Sequence, residues 1–131
     1  MITESIKRLV EKTEFAFVAS ADDSGLPHLA AGRELAVPDP EHLVFRAWFC
    51  GTTLKNLERN PYLCVAVVDP ASGEGYQMAG RVEKVENSAF MNGFVPGKDE
   101  PGTPQAQWSL VVQVQMVMAF SPAVHTDQPL G

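Results

Sequence analysis

The chain of 131 residues is poor in the residues from which catalytic and metal sites are usually built. It has two cysteines, Cys50 and Cys64, and no C-x-x-C spacing. That argues against a zinc site or a disulfide scaffold and suits a reducing cytoplasm. Of its three histidines, His28 follows Pro27 and reads as shaping a hairpin, while His42 and His125 fall in polar loops with no evident task. No Ser-His-Asp set, paired catalytic carboxylates or metal-ligand spacing can be read from the order of residues. No stretch approaches the roughly 20 apolar residues of a membrane span, and the N-terminus lacks the apolar core of a signal peptide. Basic runs are missing too. Ten Lys and Arg against sixteen Asp and Glu give a net charge of −6, which argues against a nucleic-acid or anionic-membrane partner. There is no Gly-rich run ending in Gly-Lys-Ser/Thr, and no G-x-G-x-x-G follows a strand. No internal repeat is visible.

What is present is an ordinary globular composition, 45% hydrophobic, in a length that predicts one domain over 1–131 with a polar tail at 121–131. Ile2, Ile6, Leu9 and Val10 recur at helical spacing, so residues 2–13 are expected to form an amphipathic helix. Residues 15–20 read as a short buried strand. Asp22 to Gly25 has hairpin-turn chemistry. A second strand is expected from His28 to Val37, ended by Pro38 and Pro40, and a third from Leu43 to Phe49. Residues 62–68 are dense in β-formers and predict a central strand. A turn at 69–73 leads to a long strand over 75–86, in which Gly80 suggests a bulge or bend. Residues 87–107 carry Gly93, Pro96, Gly97, Pro101, Gly102 and Pro104 and read as a long irregular loop. Trp108 to Phe120 is the last strand, with Met116 and Met118 packing within it and Cys64 in the core. Hairpin-length links predict a mainly β, six-stranded antiparallel sheet, with a closed or nearly closed barrel hiding its edges.

One junction stands out. The apolar strand 43–49 runs through Cys50 and Gly51 into Thr52 and Thr53, which open a short helix that Asn60 and Pro61 stop. A helix start presents unpaired N–H groups and the positive end of a dipole, so it can seat an anion. The threonine hydroxyls add donors, and Lys55 adds charge nearby. The plainer reading is a capped connecting helix.

The order of parts resembles the FMN-binding split-barrel family related to pyridoxamine 5′-phosphate oxidase, in its small single-domain form. The features that carry the likeness are a first helix and strand, Gly25-Leu-Pro27-His28, the junction ending in Asn56-Leu57 and Asn60-Pro61, the Gly75 to Gly80 segment, and a Trp-led last strand. They span residues 1 to about 121. The resemblance implies a homodimer of six-stranded split barrels with one FMN per subunit in the dimer groove. Carried onto this chain, Gly32, Arg33 and Glu34 flank the flavin, Ala47 and Trp48 offer backbone contacts, and Thr52 and Thr53 face the phosphate. Trp108 approaches the ring from the partner subunit. Relatives often have a lysine where Thr52 stands, and Lys55 sits one turn later, so the phosphate lacks its expected cation unless Arg33 or Arg46 supplies it. Relatives also often have a longer helix where this chain has its Gly/Pro-rich stretch at 93–104.

Each of these positions has an ordinary reading beside the ligand one. Arg33 pairs with Glu34 at the surface, Arg46 snorkels from an edge, the threonines cap the helix, Lys55 is a solvated charge, and Trp108 is dimer core. Three functions stay open at this point. The first is an FMN-dependent oxidoreductase acting on a small molecule. The second is a flavin-binding electron carrier or store. The third is a dimeric domain that has lost its flavin.

Overall fold

The computed structural model describes residues 1–48, 51–87, 107–126 and 128–130, and gives the backbone alone for 46–48, 86–87 and 107–108. Among these residues the order of elements is α1 (Glu4–Lys12), β1 (Ala16–Ala21), β2 (Pro27–Gly32), β3 (Leu35–Asp39), β4 (His42–Trp48), α2 (Gly51–Arg59), β5 (Tyr62–Val68), β6 (Gly75–Asn87) and β7 (Gln107–Phe120). The fold is mainly β and every strand pairing is antiparallel. The expected loop at 87–107 and Cys50 lie outside the described residues, apart from Asn87 and Gln107, which end and begin strands.

Seven strands form one sheet in the order β2-β1-β5-β6-β7-β4-β3. The six-strand expectation fails at one place. The segment 28–37 is not one strand but two, and they lie at opposite edges of the sheet. Laid flat, those edges would be about 29 Å apart, six spacings of about 4.8 Å. Yet Gly32 and Leu35 are separated by two residues, whose three Cα–Cα steps reach at most about 11 Å. The sheet must therefore curl until its edges meet, and β2 comes into contact with β4. No ladder joins β2 to β3. The sheet is not closed: the barrel is split between β2 and β3, which only the chain joins.

The interior is filled from alternate positions. Val18, Leu43, Phe45, Val65, Val67, Met78, Leu110, Val112 and Val117 are all almost fully buried, each contributing about 1.5–3 kcal/mol against exposure. Helix α1 adds Ile6 and Val10 to that core, joined by Ile2 just before the cap, and packs on β3 and β5. Thr3 caps it, accepting from the Ile6 N–H at 3.4 Å. The Ile2 N–H donates to the Pro40 carbonyl at 2.9 Å, fixing the entry to the helix. No helix among the described residues is long and apolar enough to cross a membrane.

Two bulges shape the β6–β7 ribbon. Ala79 pairs Met116 and Gly80 pairs Val114, so Gln115 is the extra residue on β7. Val82 pairs Val112 and Lys84 pairs Val111, so Glu83 is the extra residue on β6. Such insertions bend a strand and raise its twist, which the curl requires. Gly80 sits at the first bulge because nothing larger fits: a Cβ there would run into the Gln113 carbonyl oxygen. Gly75 is similarly pressed on the Val67 carbonyl.

The polar tail turns back on the sheet. Ser121 Oγ donates to Glu74 at 3.5 Å, and the Leu130 N–H donates to the Val117 carbonyl at 2.7 Å. Beyond Gln113, β7 has no partner strand on its β4 side among the described residues, so this return covers part of that edge.

Overpacking at the first bulge gives a direct test. Gly80→Ala should cost about 1–3 kcal/mol, read as a lower urea midpoint at unchanged slope. A variant as stable as the parent would show that the ribbon does not need this close approach.

Candidate functional site

The seam where the two sheet edges meet is built from Gly32, Arg33 and Glu34. Gly32 ends β2 and is buried, while Arg33 and Glu34 are exposed. Glu34 has φ of 58°, and it is the one non-glycine residue in the left-handed region among the described residues. A side chain there costs of the order of 1 kcal/mol. The strain is sustained because both flanking strands are locked in ladders, Gly32 against Ala16 and Leu35 against Phe45. The next residue of β4 after Phe45 is Arg46, so the seam and Arg46 are neighbours at the end of the β3–β4 ladder.

β4 then runs on as Ala47 and Trp48, paired with Trp108 and Gln107. Trp108 is thus the register neighbour of Ala47 within one subunit. Past residues 49–50 the chain enters α2. Two side-chain contacts fix the lie of this helix. Asn56 Nδ2 donates to Ser20 Oγ at 3.1 Å between two buried groups. Arg59 reaches Asp23 in the β1–β2 turn at 3.3 Å, a pair largely exposed on both sides and worth little by itself. Arg59 lies by the hairpin tip and Asn56 one turn earlier, so the first turn of α2 is directed away from the tip.

The two threonines have different surroundings. Thr53 is fully buried, with Asn56 and Leu57 on the same inward face. Thr52 is exposed, as are Gly51 and Lys55. Residues three apart share a helix face, so Thr52 and Lys55 stand together on the open side. A Cβ added at Gly51 would meet nothing within 4 Å among the described residues. The arrangement offers an open helix start with a hydroxyl and a cation beside it, and a strained seam carrying another cation, Arg33.

A second surface was not legible as such in the sequence. Residues 15–20, read as a buried strand, bury Ala16, Val18 and Ser20 but leave Phe15 50% and Phe17 37% exposed. Their rings meet edge to face at 5.5 Å. Register carries this outward row across the sheet: Ala31, Phe17, Ala66, Gln77 and Met118. The next row is Leu29, Ala19, Cys64, Ala79 and Met116. Neither row contains a charge. Cys64 therefore faces outward rather than into the core. Burial raises the pKa of its thiol, which lies 3.5 Å from Gln77 Oε1. Among the described residues no cluster of three or more His, Cys, Asp or Glu could hold a metal ion.

The seam strain is testable by itself. Glu34→Gly should leave stability unchanged or raise it by up to about 1 kcal/mol, whereas Glu34→Val should lower it by about 1–2 kcal/mol. Chemical denaturation of the pair checks this; equal stabilities would remove the argument for strain.

Comparison with known proteins places this geometry in context. Residues 2–114 match the family model described as pyridoxamine 5′-phosphate oxidase. No curated protein matches the chain. Among solved structures it is similar to HupZ of Group A Streptococcus, with 23% identity, 96% of this chain and 99% of that one covered, and a TM-score of 0.69. It is also similar to an FMN-binding protein from Syntrophomonas wolfei subsp. wolfei, with 13% identity, 94% and 88% covered, and a TM-score of 0.70. A third is the heme storage protein HutZ of Vibrio cholerae, with 14% identity, 89% and 93% covered, and a TM-score of 0.60. These likenesses show a shared fold, that of the split barrel. With the family model matched over most of its length, the chain belongs to the pyridoxamine 5′-phosphate oxidase family.

Proposed function

We propose that this chain is an FMN-binding protein, and that it acts as a cytoplasmic FMN-dependent oxidoreductase on a small molecule. The observation that carries the reading is the exposed first turn of α2, with Thr52 and Lys55 on one open face, in a fold whose strained Gly32–Glu34 link joins the sheet edges. A phosphate fits that turn: its N–H groups and dipole favour an anion, Gly51 leaves room, and Thr52 can donate from its side chain. Lys55 on the same face, with Arg33 or Arg46 from the seam, provides the cation that relatives take from a lysine at the position of Thr52. Thr53, closed off by burial, contributes from its backbone N–H. Gly32, Arg33 and Glu34 flank the flavin in this reading, Ala47 and Trp48 offer backbone contacts, and Trp108 comes from the partner subunit.

Bound FMN supplies hydride or electron transfer. The protein's own residues bind and orient it. The seam holds backbone groups in place, the helix start neutralises the phosphate, and no side-chain acid or base is required. Cys64 as a free thiol accords with a reducing compartment.

The partner in this reading is a second copy. A flat ring lying outside a packed barrel stays wet unless something covers it. The charge-free outward rows are suited to that, with small Ala19, Ala66 and Ala79 beside projecting Phe17, Leu29 and Met116. A face with both hollows and knobs can complement itself about a two-fold axis. An obligate pair of this kind buries about 2,000 Å² or more.

Two experiments test the proposal. FMN should bind more tightly than riboflavin by roughly ten- to a hundred-fold, the value of one or two charge-assisted contacts. Thr52→Ala should narrow that gap. Equal affinities would sink the phosphate assignment, and a heme Soret band in place of flavin bands in the purified protein would favour the chemistry of the HutZ neighbour. Light scattering should give twice the chain mass, and Ala66→Arg should give the monomer. A monomeric parent protein would refute the partner.

A further inference from the structure

We propose that His42 is a proton-controlled strap: as an imidazolium it ties β3 and β6 to β4 across the intervening β7, and it lets go when it loses its proton. This does not rest on the flavin reading.

His42 opens β4, and its register partner on β7 is Gln113, which in turn pairs Arg81 on β6. The ring nonetheless contacts both β3 and β6. Nδ1 lies 2.9 and 3.0 Å from the two carboxylate oxygens of Asp39 at the end of β3. Nε2 lies 3.3 Å from Glu83 Oε2 on β6. Two strand spacings, about 9.6 Å, separate β4 from β6, so this second contact must span β7. Irregularities set both carboxylates. Glu83 is the extra residue of the β6 bulge, and the β3–β4 register shifts between Ala36 and Asp39.

Both ring nitrogens thus face carboxylates. A neutral imidazole has one N–H and one lone pair, and either tautomer turns that lone pair on an acceptor. Only the doubly protonated ring donates on both sides. Other charges lie nearby. Glu41 in the turn is 3.7 Å from the N-terminal ammonium of Met1. Arg81 and Lys84 flank Glu83 and are exposed. Beneath the strap, β7 presents Gln113 and Val111, which carry no charge.

The titration follows this geometry. The hydrogen bond to Asp39 is the largest cause holding His42 above its ordinary value of 6.5, with the Asp39 and Glu83 charges adding. Asp39 is held below its ordinary 3.8, first by His42 and then by the Glu41 N–H. The raised value means that the strap's stability is complete below pH 6.5 and is lost as pH rises through the folded-state value. At the acid end it is lost as pH falls through the lowered value of Asp39. Sheet curvature at β3, β4 and β6 is therefore best held in mildly acid solution.

The test uses the purified chain with no ligand added. The His42 ring proton signal should titrate above 6.5 and should move down in Glu83→Gln, which keeps the side-chain shape and removes the charge. The thermal midpoint should fall by about 2–4 °C between about pH 6 and pH 8.5, and His42→Gln, which cannot titrate, should lose that step while His28 and His125 remain. A His42 value at or below 6.5, no response to Glu83→Gln, or a step that survives in His42→Gln would each overturn the proposal.

Discussion

Two residues, Arg33 and Glu34, join the opposite edges of a seven-stranded sheet, and the rest of the molecule follows from that tether. A sheet of this width with free edges would be open and would offer both to other chains. Here the covalent link is shorter than half the flat width, so curvature is compulsory. It is supplied where the backbone can yield: at bulges that insert Gln115 and Glu83, and at Gly80, where two strands come too close for any side chain. The interior is then small enough for Phe45, Leu43, Met78 and the valines to fill without a cavity-sized ligand. In the proposed reading the flavin therefore lies outside the barrel.

The same tether positions chemistry. It brings a left-handed Glu34 to the strand whose far end feeds α2. That helix is pinned to β1 through a buried Asn56–Ser20 hydrogen bond, which fixes its open end relative to the seam without using the residues at that end. Rigid elements thus present Thr52, Lys55 and Arg33 as free groups. The buried side of the helix, including Thr53, is committed to structure.

Much of this was legible in the sequence, and the failures have physical causes. α1 declared itself through Ile2, Ile6 and Val10, and β5 through an unbroken β-forming run. The break at Arg33 and Glu34 was hidden because the turn uses a glutamate in a conformation that normally calls for glycine or asparagine, so no turn residue marked it. Thr53 was legible after all: it lies three and four residues before Asn56 and Leu57, the inward phase of the helix. The outer rows were read as core because β1 and β5 are apolar on both faces, which sequence alone cannot distinguish from burial on both sides. His42 seemed idle because only its spacing to Asp39 is local; Glu83 reaches it through a bulge that no pattern announces.

The central claim is that flavin phosphate and ring meet this chain at two places made adjacent by the fold. A titration of isotope-labelled protein with FMN, followed by amide NMR, tests it most directly. The account predicts saturable shifts concentrated at Gly32 to Glu34 and at Gly51 to Thr53, with riboflavin reproducing the first group and not the second. Shifts confined to other strands, or no saturable shifts at either segment, would contradict it.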